Sequence, residues 1–218
     1  TGWANEARTK AIAAGAPLAS YQHVVYAFPY LSSCGWAGLA YLPGTTSWIN
    51  GYLDLRVVGH ELGHNFGVHH ASTLSCSSGS LSGTCTASEY GDPVTIMGSA
   101  SRRHHNNWHR AQFAWLADVV TAGSSGIYTL APAELPGTPR LVRVPRGDGT
   151  YLNLELRRPS GIFDDFAADY YWSAHQSEWA TDVMFRSSSA LAAIYPSLVR
   201  HGMTTFSSPD VMRFLGGK

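Results

Sequence analysis

The stretch His60-Glu61-Leu62-Gly63-His64-Asn65-Phe66-Gly67-Val68-His69-His70 constrains this chain more than any other. Residues four apart share one face of a helix, so His60 and His64 on a helix aim two imidazoles at one point. Glu61 lies one residue on, beside that point and not competing for it. Two imidazoles fall short of the three protein ligands of a catalytic zinc site. Gly67 supplies a route to the third, because glycine accepts the left-handed conformation that ends a helix and turns the chain. Three residues later His70 swings back toward the metal; His69 points elsewhere in that geometry and is the fallback. The short His-Glu-x-x-His pattern is suggestive, whereas the extended one with Gly67 and His70 is far rarer by chance. Two blander readings compete: an amphipathic core helix with solvent-facing histidines, and a metal bound for purely structural reasons. A carboxylate beside an open fourth position argues against the second, and the rarity of the extended pattern against the first.

Composition bounds the rest. The 218 residues are 44% hydrophobic and 14% charged, enough for one large domain or a catalytic core plus a small second one. Lys+Arg and Asp+Glu are both 15, which argues against an electrostatic binder of nucleic acid or anionic membrane. No apolar run reaches the roughly 18–20 residues of a membrane helix. Thr1 follows no Met and no signal peptide is visible, so the chain reads as a mature or trimmed form. Cys76 and Cys85 flank a Ser/Gly-rich stretch and are the favoured disulfide pair, with Cys34 left odd. A short-loop disulfide places the protein in an oxidising compartment.

Residues 2–15 read as an Ala-rich helix stopped at Gly15. Residues 23–28, 38–42 and 47–53 read as strands, the last broken at Asn50-Gly51. Residues 55–66 read as a helix with Asp54 at its N-cap. Residues 71–92 lack periodicity and read as a long loop. A helix is expected over 107–120, its apolar face supplied by Trp108, Phe113, Trp115, Leu116 and Val119. Strands follow at 127–130, 141–144 and 151–156, with a domain boundary near 122–126.

The His60–His70 motif resembles the signature of the metzincin zinc peptidases, which carry a Met in a tight turn beneath the metal. Here Tyr90-Gly91-Asp92-Pro93-Val94-Thr95-Ile96-Met97-Gly98 follows, with Asp92-Pro93 favouring a turn and Met97-Gly98 fitting a tight one. The closer resemblance is to the gametolysin-like family, on the His60–His70 stretch with Asn65 after the second ligand, on Glu89–Gly98, on Cys34–Ala40, and on Trp108–Leu116 as the closing helix. It covers about 20–120 well and 127–165 loosely. Ser99 stands where some metzincins place a Tyr ligand, so no such ligand is expected.

The resemblance implies an α/β (α+β) metzincin-like domain over 1–122, with a twisted mixed sheet, an active-site helix and the Met97 turn, followed by a β-rich region over 123–218. It implies a secreted zinc endopeptidase. Zn²⁺ on neutral His60, His64 and His70 activates a water, and Glu61 takes its proton and passes it to the leaving amine. The protein or peptide substrate is expected to lie extended along an edge strand such as 38–42, and a propeptide or inhibitor is a further expected partner. The rivals are a zinc hydrolase of another amide, and a binding or adhesion module with a relic metal site. Arg102–His105 reads as a solvated basic loop, Asp164-Asp165 as a solvated turn, and the aromatics Tyr170, Tyr171, Trp172 and Trp179 as packing.

Overall fold

Trp3 explains why the first helix stays on its sheet. In the computed structural model α1 spans Gly2–Ala13, and Gly15 beyond it has φ 86°. Trp3 sets its ring edge-on to Tyr26 and Phe28, centroids 6.2 and 4.9 Å away. Those two residues belong to β1 (Val24–Phe28), which runs parallel to β3 (Thr46–Asn50); β2 (Gly38–Ala40) pairs antiparallel on the other side of β3. The order β1-β3-β2 makes β3 central, and Ser47, Trp48, Ile49 and Asn50 are accordingly buried. It also leaves β2 at an edge. Helix α2 (Leu55–Asn65) completes this unit, which spans residues 1–68.

The structure describes residues 2–73, 84–99, 102–124, 127–145, 149, 151–157 and 163, plus the backbone of 74–76, of 126 and of the last four strands named below. The second unit, residues 69–218, is built on sheets. Its larger sheet has the order β5-β4-β11-β10-β9-β8-β6, from β4 (Ala71–Cys76), β5 (Cys85–Ser88), β6 (Val119–Thr121), β8 (Leu141–Pro145), β9 (Tyr151–Arg157), β10 (Asp169–His175) and β11 (Asp182–Arg186). The β4·β11 and β6·β8 pairs are parallel and the others antiparallel. Strands β12 (Met203–Ser208) and β13 (Val211–Phe214) join β7 (Gly126–Thr129) in an antiparallel sheet ordered β12-β13-β7. Leu141, Val142, Val144, Leu152, Leu154 and Leu156 are all buried. Adjacent residues point to opposite faces, and Asn153, Glu155 and Arg157 between and after those leucines are buried too, so β8 and β9 are covered on both sides. The chain is thus the mixed helix-and-sheet protein expected, with twisted mixed sheets.

Two expectations fail. Residues 71–92 are not a long loop: β4 and β5 form a hairpin with Thr73 opposite Ser88 and Cys76 opposite Cys85. Its Ser and Thr residues carry no apolar alternation, so cross-strand pairing holds what hydrophobic pattern does not announce. Residues 77–83 lie outside the described ones. The helix expected over 107–120 is only α3 (Asn107–Gln112), started by Asn106, whose side chain accepts from His109 N. It ends because Ala114 takes φ 57°, a left-handed conformation that stops a helix, and the chain re-enters a sheet at Val119. Asp118 pins that exit. Its carboxylate receives Arg140 Nε at 3.3 Å and Nη2 at 3.2 Å. Burial opposes ionisation there, but the Arg140 contacts prevail and hold the Asp118 carboxyl below its ordinary value.

The basic stretch is a loop with Arg102 exposed, but its next three residues are half-buried and packed. Arg103 donates to Phe163 O at 3.2 Å, and His105 packs edge-on against Phe113 at 4.9 Å. Asp164-Asp165, Trp179 and the side chains of Tyr170, Tyr171 and Trp172 lie outside the described residues. Cys34 is a free thiol.

Candidate metal centre

Helix α2 forms where the sequence starts and stops it. Asp54 Oδ1 accepts from Val57 N at 2.9 Å, satisfying one of the amides that a helix start leaves without an intrahelical partner. At the other end Gly67 has φ 102°. Gly67 N donates to His64 O at 2.9 Å and Val68 N to Gly63 O at 3.2 Å. That pair of bonds is the Schellman arrangement, which turns the chain sharply after the last helical residue.

Asn65 ties this helix to the β2–β3 hairpin. Its Nδ2 donates to Tyr41 O at 2.9 Å and Thr46 O at 3.0 Å, and its backbone oxygen accepts from Gly44 N at 3.1 Å. Asn50, fully buried at the end of β3, orders the loop leading into β2. Its Oδ1 accepts from Leu31 N at 2.7 Å, and its Nδ2 donates to Leu31 O and Trp36 O at 3.0 and 2.8 Å.

His60, His64 and His70 present ligand atoms that all lie within 4.8 Å of one another, and these are the His/Cys/Asp/Glu group among the described residues fit to hold an ion. His69 is exposed and outside the group. The donor set suits zinc: three imidazoles leave a fourth position open. Hydrogen bonds on the rings select the donor atom. His64 Nδ1 lies 2.8 Å from Val68 O, and His70 Nδ1 2.6 Å from Glu89 Oε1. An Nδ1–H donating to an oxygen fixes the tautomer and leaves Nε2 as the atom that faces a metal.

Glu61 is 6% exposed, and burial pushes its carboxyl up to about 7. It lies directly against β2: a Cβ placed on Gly38 would come 2.3 Å from Glu61 Oε1 and 2.7 Å from its Cδ. Only a glycine lets the edge strand approach this carboxyl so closely.

Met97 is fully buried in a tight turn in which Gly98 N donates to Thr95 O at 3.0 Å. A Cβ on Gly98 would meet Asp92 O at 2.0 Å, so this glycine is required sterically. Asp92 fixes the turn with Oδ1 accepting from Val94 N at 2.8 Å. Ser99, at the position of the absent Tyr ligand, donates its hydroxyl to Asp92 O at 3.2 Å. Met97 O accepts from Ala71 N at 2.9 Å, so the turn clasps the residue that follows His70.

The profile of the Gametolysin peptidase M11 family matches residues 2–154, well over half of the chain. The chain belongs to that family. No curated protein and no solved structure matches it. Membership makes this M11 chain a metallopeptidase by family, with a protein as the implied substrate. Among the described residues, no helix is long and apolar enough to cross a membrane.

Four residues that position this M11 site were not singled out by pattern. Gly38 and Asn50 look like ordinary strand and turn residues. Glu89 and Tyr90 fall in the stretch read as a loop. Asn65, the Cys34–Ala40 stretch that holds Gly38, and the Glu89–Gly98 segment had a signal, and that signal was family likeness without a role attached.

Proposed function

We propose that the chain is a zinc-dependent endopeptidase acting on extracellular proteins, with His60, His64 and His70 as metal ligands and Glu61 as general base. One observation carries the reading: three imidazoles converge within 4.8 Å while the adjacent carboxyl of Glu61 stays out of that group. Zinc bound there supplies Lewis-acid polarisation of the scissile carbonyl and acidifies a water. Glu61 takes a proton from the attacking water on its carboxylate oxygen and delivers it to the leaving amine. Met97 and Gly67 are structural: the first fills the tight turn and the second ends the active-site helix.

The substrate lies extended along β2. Support comes from the edge position of β2 in its sheet and from the approach of Gly38 to Glu61. An added strand on that edge gains main-chain hydrogen bonds and sets its scissile bond beside the carboxylate. Residues that do chemistry then all fall within 1–122, ahead of the β-rich 123–218 region. A propeptide or inhibitor would occupy the same edge.

Secretion rests on a proposed Cys76–Cys85 disulfide. The two residues face each other across β4 and β5. Directly opposed residues of an antiparallel pair are about 4.5–5.5 Å apart at Cα, inside the range a disulfide spans.

The test is cleavage of casein or gelatin by the purified chain alongside its metal content. About one zinc per chain is expected, with cleavage lost on chelation and restored by zinc. A relic site would hold zinc and cleave nothing; an amidohydrolase of another kind would leave both proteins intact and turn over a small amide. Gly38→Ala tests the edge-strand geometry. The added methyl must displace the Glu61 carboxyl, and misplacement by about 1 Å costs on the order of 100-fold in rate. Steady-state kinetics should show that fall in kcat with zinc content unchanged.

A further inference from the structure

The hairpin that follows the third histidine is built around that ring. Strand β4 starts at Ala71, directly after His70, and β5 returns beside it to leave the chain at Glu89 and Tyr90. Glu89 Oε1 accepts from His70 Nδ1 at 2.6 Å. The Tyr90 ring covers the imidazole, with centroids 3.8 Å apart and planes 33° apart. Tyr90 has φ 60°, a conformation that a bulky residue keeps only where its surroundings over-determine it.

The next residue shows what enforces this. A Cβ on Gly91 would sit 2.2 Å from Thr73 Oγ1 and 2.8 Å from Ser88 O, so the chain closes on β4 with no room to spare. Asp92 N then donates to Ala71 O at 3.3 Å, and Ala71 N to Met97 O at 2.9 Å. The backbone on the C-terminal side of His70 is therefore held by two bonds, and its ring is held by two consecutive side chains.

We propose that Glu89 is the positioning residue of His70, fixing its tautomer and ring orientation so that Nε2 points to the metal, with Tyr90 setting the ring plane. The proposal rests on the zinc reading above. His64 has a neutral carbonyl, Val68 O, at the equivalent nitrogen. A carboxylate is the stronger acceptor there and raises the donor strength of the opposite nitrogen. Glu89 is 63% exposed at its side chain, so its bond to His70 contributes little to folding. Its removal should be felt at the metal and not in the fold.

The experiment is zinc competition against a chromophoric chelator on the full chain, with the visible spectrum of the Co²⁺-substituted protein as a second readout. Glu89→Ala should weaken zinc about 10–100-fold and alter the cobalt spectrum. The unfolding midpoint of metal-free protein should stay unchanged. Glu89→Gln should recover most of the affinity, because its amide oxygen still accepts from Nδ1–H. Wild-type affinity and spectrum in Glu89→Ala overturn the assignment, and so does a loss of affinity matched by a loss of metal-free stability. Failure of the zinc reading looks different: the wild-type chain binds no zinc, or His70→Ala binds it as tightly as wild type does.

Discussion

Glu61→Gln is expected to bind zinc as the native chain does and to lose about two to four orders of magnitude in kcat, the usual contribution of a positioned general acid–base group. The amide keeps the size and shape of the carboxyl and removes its capacity to take a proton. Nothing in the packing opposes the change. Glu61 is buried, and its burial already disfavours the charged form, so a neutral isostere fits the same space without a desolvation cost. His60→Ala should fail differently, losing zinc and activity together, since only two of the three donors remain. Metal analysis beside steady-state kinetics separates the two classes. A Glu61→Gln protein with native kcat would mean that the base lies elsewhere and that the carboxyl beside Gly38 is packing.

What the sequence made legible follows from where local chemistry decides structure. Helix α2 was readable to within a residue because Asp54 starts it, Gly67 stops it, and His60 and His64 need a helix to act together. The Met97 turn was readable because Asp92-Pro93 and Gly98 are turn chemistry at fixed offsets. The β4–β5 hairpin was not, since its residues are small and polar and β4 is held on its other side by β11, far along the chain. The end of α3 was hidden for the opposite reason. Phe113 to Val120 keeps an apolar pattern that suits a helix, and the decisive left-handed residue is Ala114, which no propensity marks. Gly38 shows the same limit at the site: its necessity is a distance to Glu61, and distances across a fold have no sequence signature.

Buried charge is the largest feature that the sequence conceals, and it carries the largest expected effect on stability. Arg157 ends β9, where a charged residue reads as surface, yet its side chain is 0% exposed. Its Nε pairs with Glu134, whose side chain is 1% exposed, and its Nη1 lies 3.3 Å from Glu155 Oε1. Glu155 also accepts from the Asn107 amide at the first residue of α3. Asn107 in turn donates from Nδ2 to Arg140 O at 2.7 Å and accepts from Arg110 Nη1 at 3.1 Å. The Arg157 guanidinium thus contacts two carboxylates, of which Glu155 anchors the first residue of the helix after the Met97 turn. Arg157→Met keeps the volume and removes the charge, taking from Glu134 and Glu155 the guanidinium in direct contact with both and leaving Arg110 as the positive charge near them. Breaking a buried pair this way costs about 3–5 kcal/mol, read as a lowered midpoint in denaturant unfolding. The double change Arg157→Met with Glu134→Leu should recover much of that loss, because replacing a buried ion pair by apolar groups of similar volume is often neutral or better. If Arg157→Met unfolds within about 0.5 kcal/mol of the native chain, the range of ordinary surface substitutions, these carboxylates are not held by the guanidinium. The anchoring of α3 would then rest on neutral contacts such as those of Asn106 and Asn107 and the bond from Arg110 to Ala133 O.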